Sequence, residues 1–176
     1  TISDTAGNGI SVTNNQGNAT FGDTTVTNAG TDGININASS GSYTFNGLDI
    51  TTQNGSGLVA ETVGLVSVTG PGNSINATGG AALDIDASTI DMTFDNLIST
   101  NSASEGVSLN NVTGAGTSNG LTVSKETSIS DTTGAGISVS NLQGNATFGD
   151  TTVTNTGNDG ILIANNAAGS NLAFNS

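Results

Sequence analysis

The twelve residues GNATFGDTTVTN occur twice, at 17–28 and again at 144–155. They belong to a longer duplication in which 129–163 copies 2–36 closely. A chain that repeats itself at fixed intervals stacks copies of one structural unit, so periodicity constrains the fold before any other property. Inside the 127-residue offset runs a shorter period. A small residue followed by an apolar–x–apolar or apolar–x–small triplet recurs as GISV, GINI, GLVA, ALDI, GVSL, GISV and GILI. Its first apolar positions are Ile10, Ile34, Leu58, Leu83, Val107, Ile137 and Ile161, in steps of 24, 24, 25, 24, 30 and 24.

Two further columns follow each of these. The second reads ATF, YTF, VSV, MTF, LTV, ATF and LAF, ending on Phe21, Phe45, Val68, Phe94, Val123, Phe148 and Phe174. The third centres on Ile2, Val26, Ile50, Ile75, Ile98, Ile129 and Val153. Each segment alternates apolar with polar residues, the period of a strand with one buried face. Connectors rich in Gly, Asn and Ser separate them, as turns require.

Three short strands per coil of ~24 residues, stacked in register, predict an all-β parallel β-helix solenoid of about seven coils. It spans 1–176 as a single unit. The predicted core is Ile10, Phe21, Val26, Ile34, Phe45, Ile50, Leu58, Leu83, Phe94, Ile137, Phe148, Val153, Ile161 and Phe174, with the five Phe rings in one buried column. The 127-residue offset is five coils. The long step of 30 places extra residues in NNVTGAGTSNG (110–120), which should bulge from one corner.

Composition narrows the chemistry. The chain has no Cys and no His, and Lys125 is its only cation against fourteen carboxylates, for a formal charge of −13. Nucleic acid is excluded as a partner, because phosphate binding needs clustered Lys and Arg. Zinc sites of Cys and His, and triads that use His, are impossible. No apolar run is long enough to span a membrane. No leader and no initiator Met are visible, so the sequence reads as a mature or excised segment of a longer array or fibre.

The variable coil length and the Gly/Asn/Thr-rich strand repeats resemble the right-handed parallel β-helix of large bacterial surface proteins. These are autotransporter passengers and filamentous-haemagglutinin-like adhesins. The resemblance covers the whole chain and implies extracellular or cell-surface display, with adhesion or scaffolding as the task and a surface glycan or receptor as possible partner. Similar folds carry polysaccharide lyases and hydrolases, so fold does not choose function.

Glu61, Asp84 and Asp86 form the one acidic constellation that the repeat brings together. Aligned coils put Glu61 and Asp86 at the same outward position, with Asp84 two residues away on that face. Stacked like charges repel, so the cluster is a candidate Ca²⁺ site or carboxylate pair for glycoside hydrolysis; its plain reading is a solvated patch that aids solubility. Lyase chemistry is disfavoured, since Lys125 cannot both accept a proton and hold an acidic sugar. Only Tyr43 remains outside the Phe column for stacking on a sugar. The turns GTDG (30–33) and GNDG (157–160) place Asp32 and Asp159 where carboxylates bond nearby backbone N–H groups. Outward Thr rows invite an ice-binding reading, but non-Thr residues interrupt them in most coils.

The expectation is an extracellular structural or adhesive solenoid without chemistry of its own and without a cofactor. Its alternative is a carbohydrate-binding or glycoside-hydrolysing β-helix using surface carboxylates. The open edges at the two ends predict self-association, head to tail.

Overall fold

A computed structural model describes residues 1–175. Every described strand pairing is parallel, and no helix is found among the described residues. The first column forms one unbroken ladder: Ile10–Ile34–Leu58–Leu83–Val107–Ile137–Ile161. Seven coils therefore stack into a parallel β-solenoid with ~24-residue spacing.

The second and third segments often run into each other. Ala19–Ala29, Thr89–Thr100 and Asn145–Thr156 each bend through the corner as one strand, and Ile34–Gly55 spans a whole coil without a break. The corner is taken up by a register shift, as between Thr122 and Glu126. A locally unpaired residue lets a strand bend without leaving the ladder.

The interior is a mainly apolar core. Val26, Ile34, Phe45, Ile50, Leu58, Leu83, Phe94, Ile137 and Phe148 are essentially inaccessible. Ile10, Phe21, Val153 and Phe174 pack against this core and are partly buried, because they lie on the end coils or beside them. Ile161 departs from expectation. It is 40% exposed, since its strand pairs with Ile137–Ser140 on one edge and has no described coil on the other.

Two ladders slip by two residues at the fourth coil. Phe21, Phe45 and Val68 align, but Val68 meets Met92 instead of Phe94. Phe94 aligns with Val123. The rings stack in two pairs, Phe21–Phe45 at 4.6 Å and Phe148–Phe174 at 5.0 Å, because Val68 and Val123 stand between them, and the slip takes Phe94 off the Phe21–Phe45 column. The cause is local. After Val68 the third coil leaves the face through Thr69–Asn73, where Gly70 and Gly72 take positive φ. The fourth coil instead keeps alternating through Ile90, Met92 and Phe94, all inward.

The third column slips with it. Leu97, not Ile98, is buried and pairs with Ile75, while Ser99 takes the position that Ile129 fills in the next coil. Ser99 suits its neighbour. Elsewhere a Gly precedes the first segment because the third face presses on it; a Cβ on Gly106 would lie 2.1 Å from Cγ2 of Ile129, the residue in register with Ser99. The fourth coil has Ala82 there, and the small Ser99 leaves room for its methyl group. The buried Ser99 hydroxyl is satisfied by donating to the Gly80 carbonyl at 2.9 Å.

The long step resolves as expected near 110–120. Val112 stays in the core and Thr113–Gly114 pairs with Thr89 and Ile90. The chain then turns outward over 115–119 before re-entering at Gly120. Asp91 anchors the excursion, its carboxylate accepting from the backbone N–H groups of Ser118 at 2.9 Å and Thr117 at 3.3 Å.

Candidate functional site

The outward positions of the first face set the acidic constellation. The last residue of each first segment forms the row Thr13, Asn37, Glu61, Asp86, Asn110, Ser140 and Ala164. Glu61 and Asp86 are direct neighbours in that row, as the repeat predicts. Each is held on its far side by an amide: Asn37 Nδ2 donates to Glu61 Oε2 at 2.8 Å, and Asn110 Nδ2 to Asp86 Oδ1 at 3.0 Å. Amide donors on both flanks spread the charge that two stacked carboxylates would otherwise concentrate.

Asp84 stands in the other outward row, between Val59 and Ser108. With Val59, Ala60, Glu61 and Asp86 it lines a shallow hollow of 180 Å³. Partial burial raises its carboxyl above the usual range, and the negative charges of Glu105, Asp32, Asp86 and Glu61 push the same way. The hollow can thus hold a carboxyl with an enhanced tendency to stay protonated. Among the described residues no group of three or more His, Cys, Asp or Glu side chains is arranged to hold a metal ion.

The remaining candidates have structural roles. Lys125 is exposed and its Nζ lies 2.7 Å from Asp95 Oδ2. Hydrogen bonds from Lys125 and Ser124 hold the Asp95 carboxyl below the usual range. Asp32 Oδ1 accepts the Ser56 backbone N–H at 3.1 Å, from the next coil rather than from its own turn. Asn8 Oδ1 accepts the Asp32 N–H in the same way. Tyr43 corrects expectation. It is fully buried, and its hydroxyl donates to the Asn15 carbonyl at 3.1 Å, so it offers no face to a sugar.

Two sets of residues carry the solenoid without having been singled out in the sequence. The first is a corner ladder in the left-handed backbone region: Asn14, Ala38, Thr62, Ala87, Asn111, Asn141 and Asn165. Each lies four residues after a first-column residue, so the same steps of 24, 24, 25, 24, 30 and 24 would have revealed it. The second is a set of buried or half-buried side chains that bond the backbone of the preceding coil. Ser39 Oγ accepts the Asn15 N–H, Ser88 Oγ the Val63 N–H, and Asn166 Oδ1 the Leu142 N–H. Asn73 Oδ1 accepts the Leu48 N–H at 2.8 Å while its amide donates to the carbonyls of Thr69, Gly70 and Thr93. One Asn thereby satisfies groups on three coils around the irregular loop. Coil corners leave backbone groups that no ladder satisfies, and these side chains supply the partners.

A second hollow of 350 Å³ lies beneath the Thr69–Asn73 loop, lined by Asp23, Thr24, Thr25, Asn46, Gly47, Leu48, Asp49, Pro71 and Gly72. Ser74 Oγ donates to Asp49 Oδ1 at 2.8 Å, so part of this acidic lining also stitches neighbouring coils. No helix among the described residues is long and apolar enough to cross a membrane. No family model, curated protein or solved structure matches the chain.

Proposed function

We propose that the chain is a structural and adhesive rod displayed outside the cell, with no reaction of its own. One observation carries this reading: polar side chains on the coil surface are spent on joining one coil to the next. Asn37–Glu61, Asn110–Asp86, Asn28–Asp4 and Ser74–Asp49 all bridge adjacent coils. Such contacts stiffen the axis. The acidic exterior keeps rods apart sideways, because a large net charge of one sign opposes lateral association. Length and rigidity are what a stalk supplies, and a surface glycan or receptor would be met along its flank.

Immunogold electron microscopy of the native source, with an antibody against this chain, tests the reading. Label on extended material outside the cell is the expected result. Label confined to the cytoplasm would overturn display, and a flexible, collapsed particle would overturn the rod.

The raised Asp84 carboxyl in its hollow favours a second reading, glycoside hydrolysis with Asp84 as proton donor beside Glu61 or Asp86. Release of reducing sugar from neutral glycans, abolished in Asp84→Asn, would establish it. Turnover that survives this substitution would exclude it.

A further inference from the structure

The Thr69–Asn73 loop holds the chain's single Pro and separates two strands that run together in other coils. Insertions in a solenoid map to loops on one face, often the face that meets a ligand. This loop is firmly built. Asn73 is 1% exposed and its side chain bonds groups on three coils. Gly70 lies so close to the preceding coil that a Cβ there would stand 2.5 Å from the Asn46 carbonyl oxygen. Beneath the loop, the 350 Å³ hollow crosses the flank over three successive coils. Asp23 lies on the first, Asn46 and Asp49 on the second, and Pro71 and Gly72 on the third.

The hollow stays open because Gly47 has no side chain: a Cβ there would lie 2.7 Å from Asp23 Oδ1. Polar groups converge on the space. Asp49 Oδ1 accepts from the Ser74 hydroxyl and Asn46 Oδ1 from the Thr69 hydroxyl. The Asp23 carboxylate, Asp49 Oδ2 and Asn46 Nδ2 bond no group among the described residues. Pro71 is exposed and adds an apolar edge.

We propose that this hollow binds one pyranose unit of a neutral glycan. The inference rests on the adhesive part of the rod reading and gives its glycan partner a site. A sugar hydroxyl both donates and accepts. The two carboxylates take hydroxyl protons, in bonds stronger than neutral ones, while the Asn46 amide donates to a sugar oxygen. The C–H face of the ring packs on Pro71. At 350 Å³ the space is near the lower end of small-molecule sites, which begin at about 300 Å³. Acidic sugars are disfavoured, because the charges here are carboxylates and Lys125 is held by Asp95 on later coils. Free cations are attracted to carboxylates anywhere on the flank; concavity with an apolar edge is particular to this place. The duplicated segment supplies an internal reference. Asp150 repeats Asp23 within the same twelve residues, but it pairs with Glu126, away from the loop.

NMR titration of the folded chain tests this, with oligosaccharides of neutral hexoses, of uronic acids and of free amino sugars, and with CaCl₂. Neutral oligosaccharides should shift the amide signals of Gly47 and Gly72, and added NaCl should not weaken them, since no ion pair forms. Uronic acids should leave both signals unmoved. Gly47→Val fills the hollow with a residue suited to a strand, and Asp23→Ala removes an acceptor. Each should weaken binding about tenfold or more. Neither position belongs to the core, so both variants should keep the fold. Asp150→Asn should bind like the unmodified chain. No shift with neutral sugars, binding that survives Asp23→Ala, or equal shifts with uronic acids would each overturn the proposal. Shifts produced only by amino sugars or Ca²⁺ and lost in salt would overturn it too, making the hollow a cation site. None of these results touches the rod itself, which is tested by the shape and place of the labelled material.

Discussion

Thr62, Ala38 and Ala87 sit in the left-handed corner ladder that Asn fills at the other coils. A residue with a Cβ costs roughly 1–2 kcal/mol in that region, and a branched Cβ is the least tolerated. Thr62 is exposed, so Thr62→Asn should raise stability by about 1 kcal/mol in urea unfolding without touching the core. Asp84 offers a pH signature. Its folded-state carboxyl lies above the ordinary value of 3.8, so between those two points the folded chain binds more protons than the unfolded chain. Stability therefore falls as pH rises through that window, and the cost is complete above the folded value. Asp84→Asn should stabilise at neutral pH, and only modestly because the group is partly solvated. The gain should vanish below pH 3.8; a gain that persists there would show another cause. Phe45 is fully buried against Phe21, and Phe45→Ala should cost about 3–5 kcal/mol through the cavity it leaves.

Elements with their own corner chemistry differ in how firmly they are held. The Thr69–Asn73 loop is tied by the Asn73 side chain, which donates three hydrogen bonds and accepts one. The 115–119 excursion depends on Asp91, helped by the Thr93–Ser118 hydroxyl contact at 2.9 Å. Asp91→Ala removes the acceptor for two backbone N–H groups that carry the loop. The loop should then become the first site of proteolytic nicking, while the melting temperature moves little, since the loop lies outside the core ladder. Cleavage elsewhere first would show that Asp91 is not the anchor.

Across the whole molecule, each coil touches only its neighbours, so stability adds up from coil-to-coil interfaces. The end coils have one such interface each and carry the partly covered residues Ile10, Val12 and Phe174. Hydrogen exchange should therefore be slowest in the backbone of 58–109 and fastest at 2–13 and 161–175, when measured at concentrations where single chains dominate. Uniform protection along the axis would mean that the solenoid opens as one cooperative unit instead.

The repeat by itself determined the all-β parallel stack, the seven coils, the first-column ladder from Ile10 to Ile161 and the pairing of Glu61 with Asp86. Those follow from periodicity, because a nearly regular step of three alternating segments leaves one way to bury every apolar column. The duplicated coils gave no warning of the slip at Phe94 and Leu97. That slip depends on how the third coil turns at Thr69–Asn73 and on room for the Ala82 methyl, which are contacts between coils. Tyr43 was ambiguous for a related reason: its strand position points it inward, but only the packed corner shows its hydroxyl reaching Asn15. The raised Asp84 carboxyl was legible as a cluster but not as a shift, since Glu105 and Asp32 approach it through the stack and burial sets the largest part. Local pattern fixes which face a residue occupies; the neighbouring coils decide what it meets there.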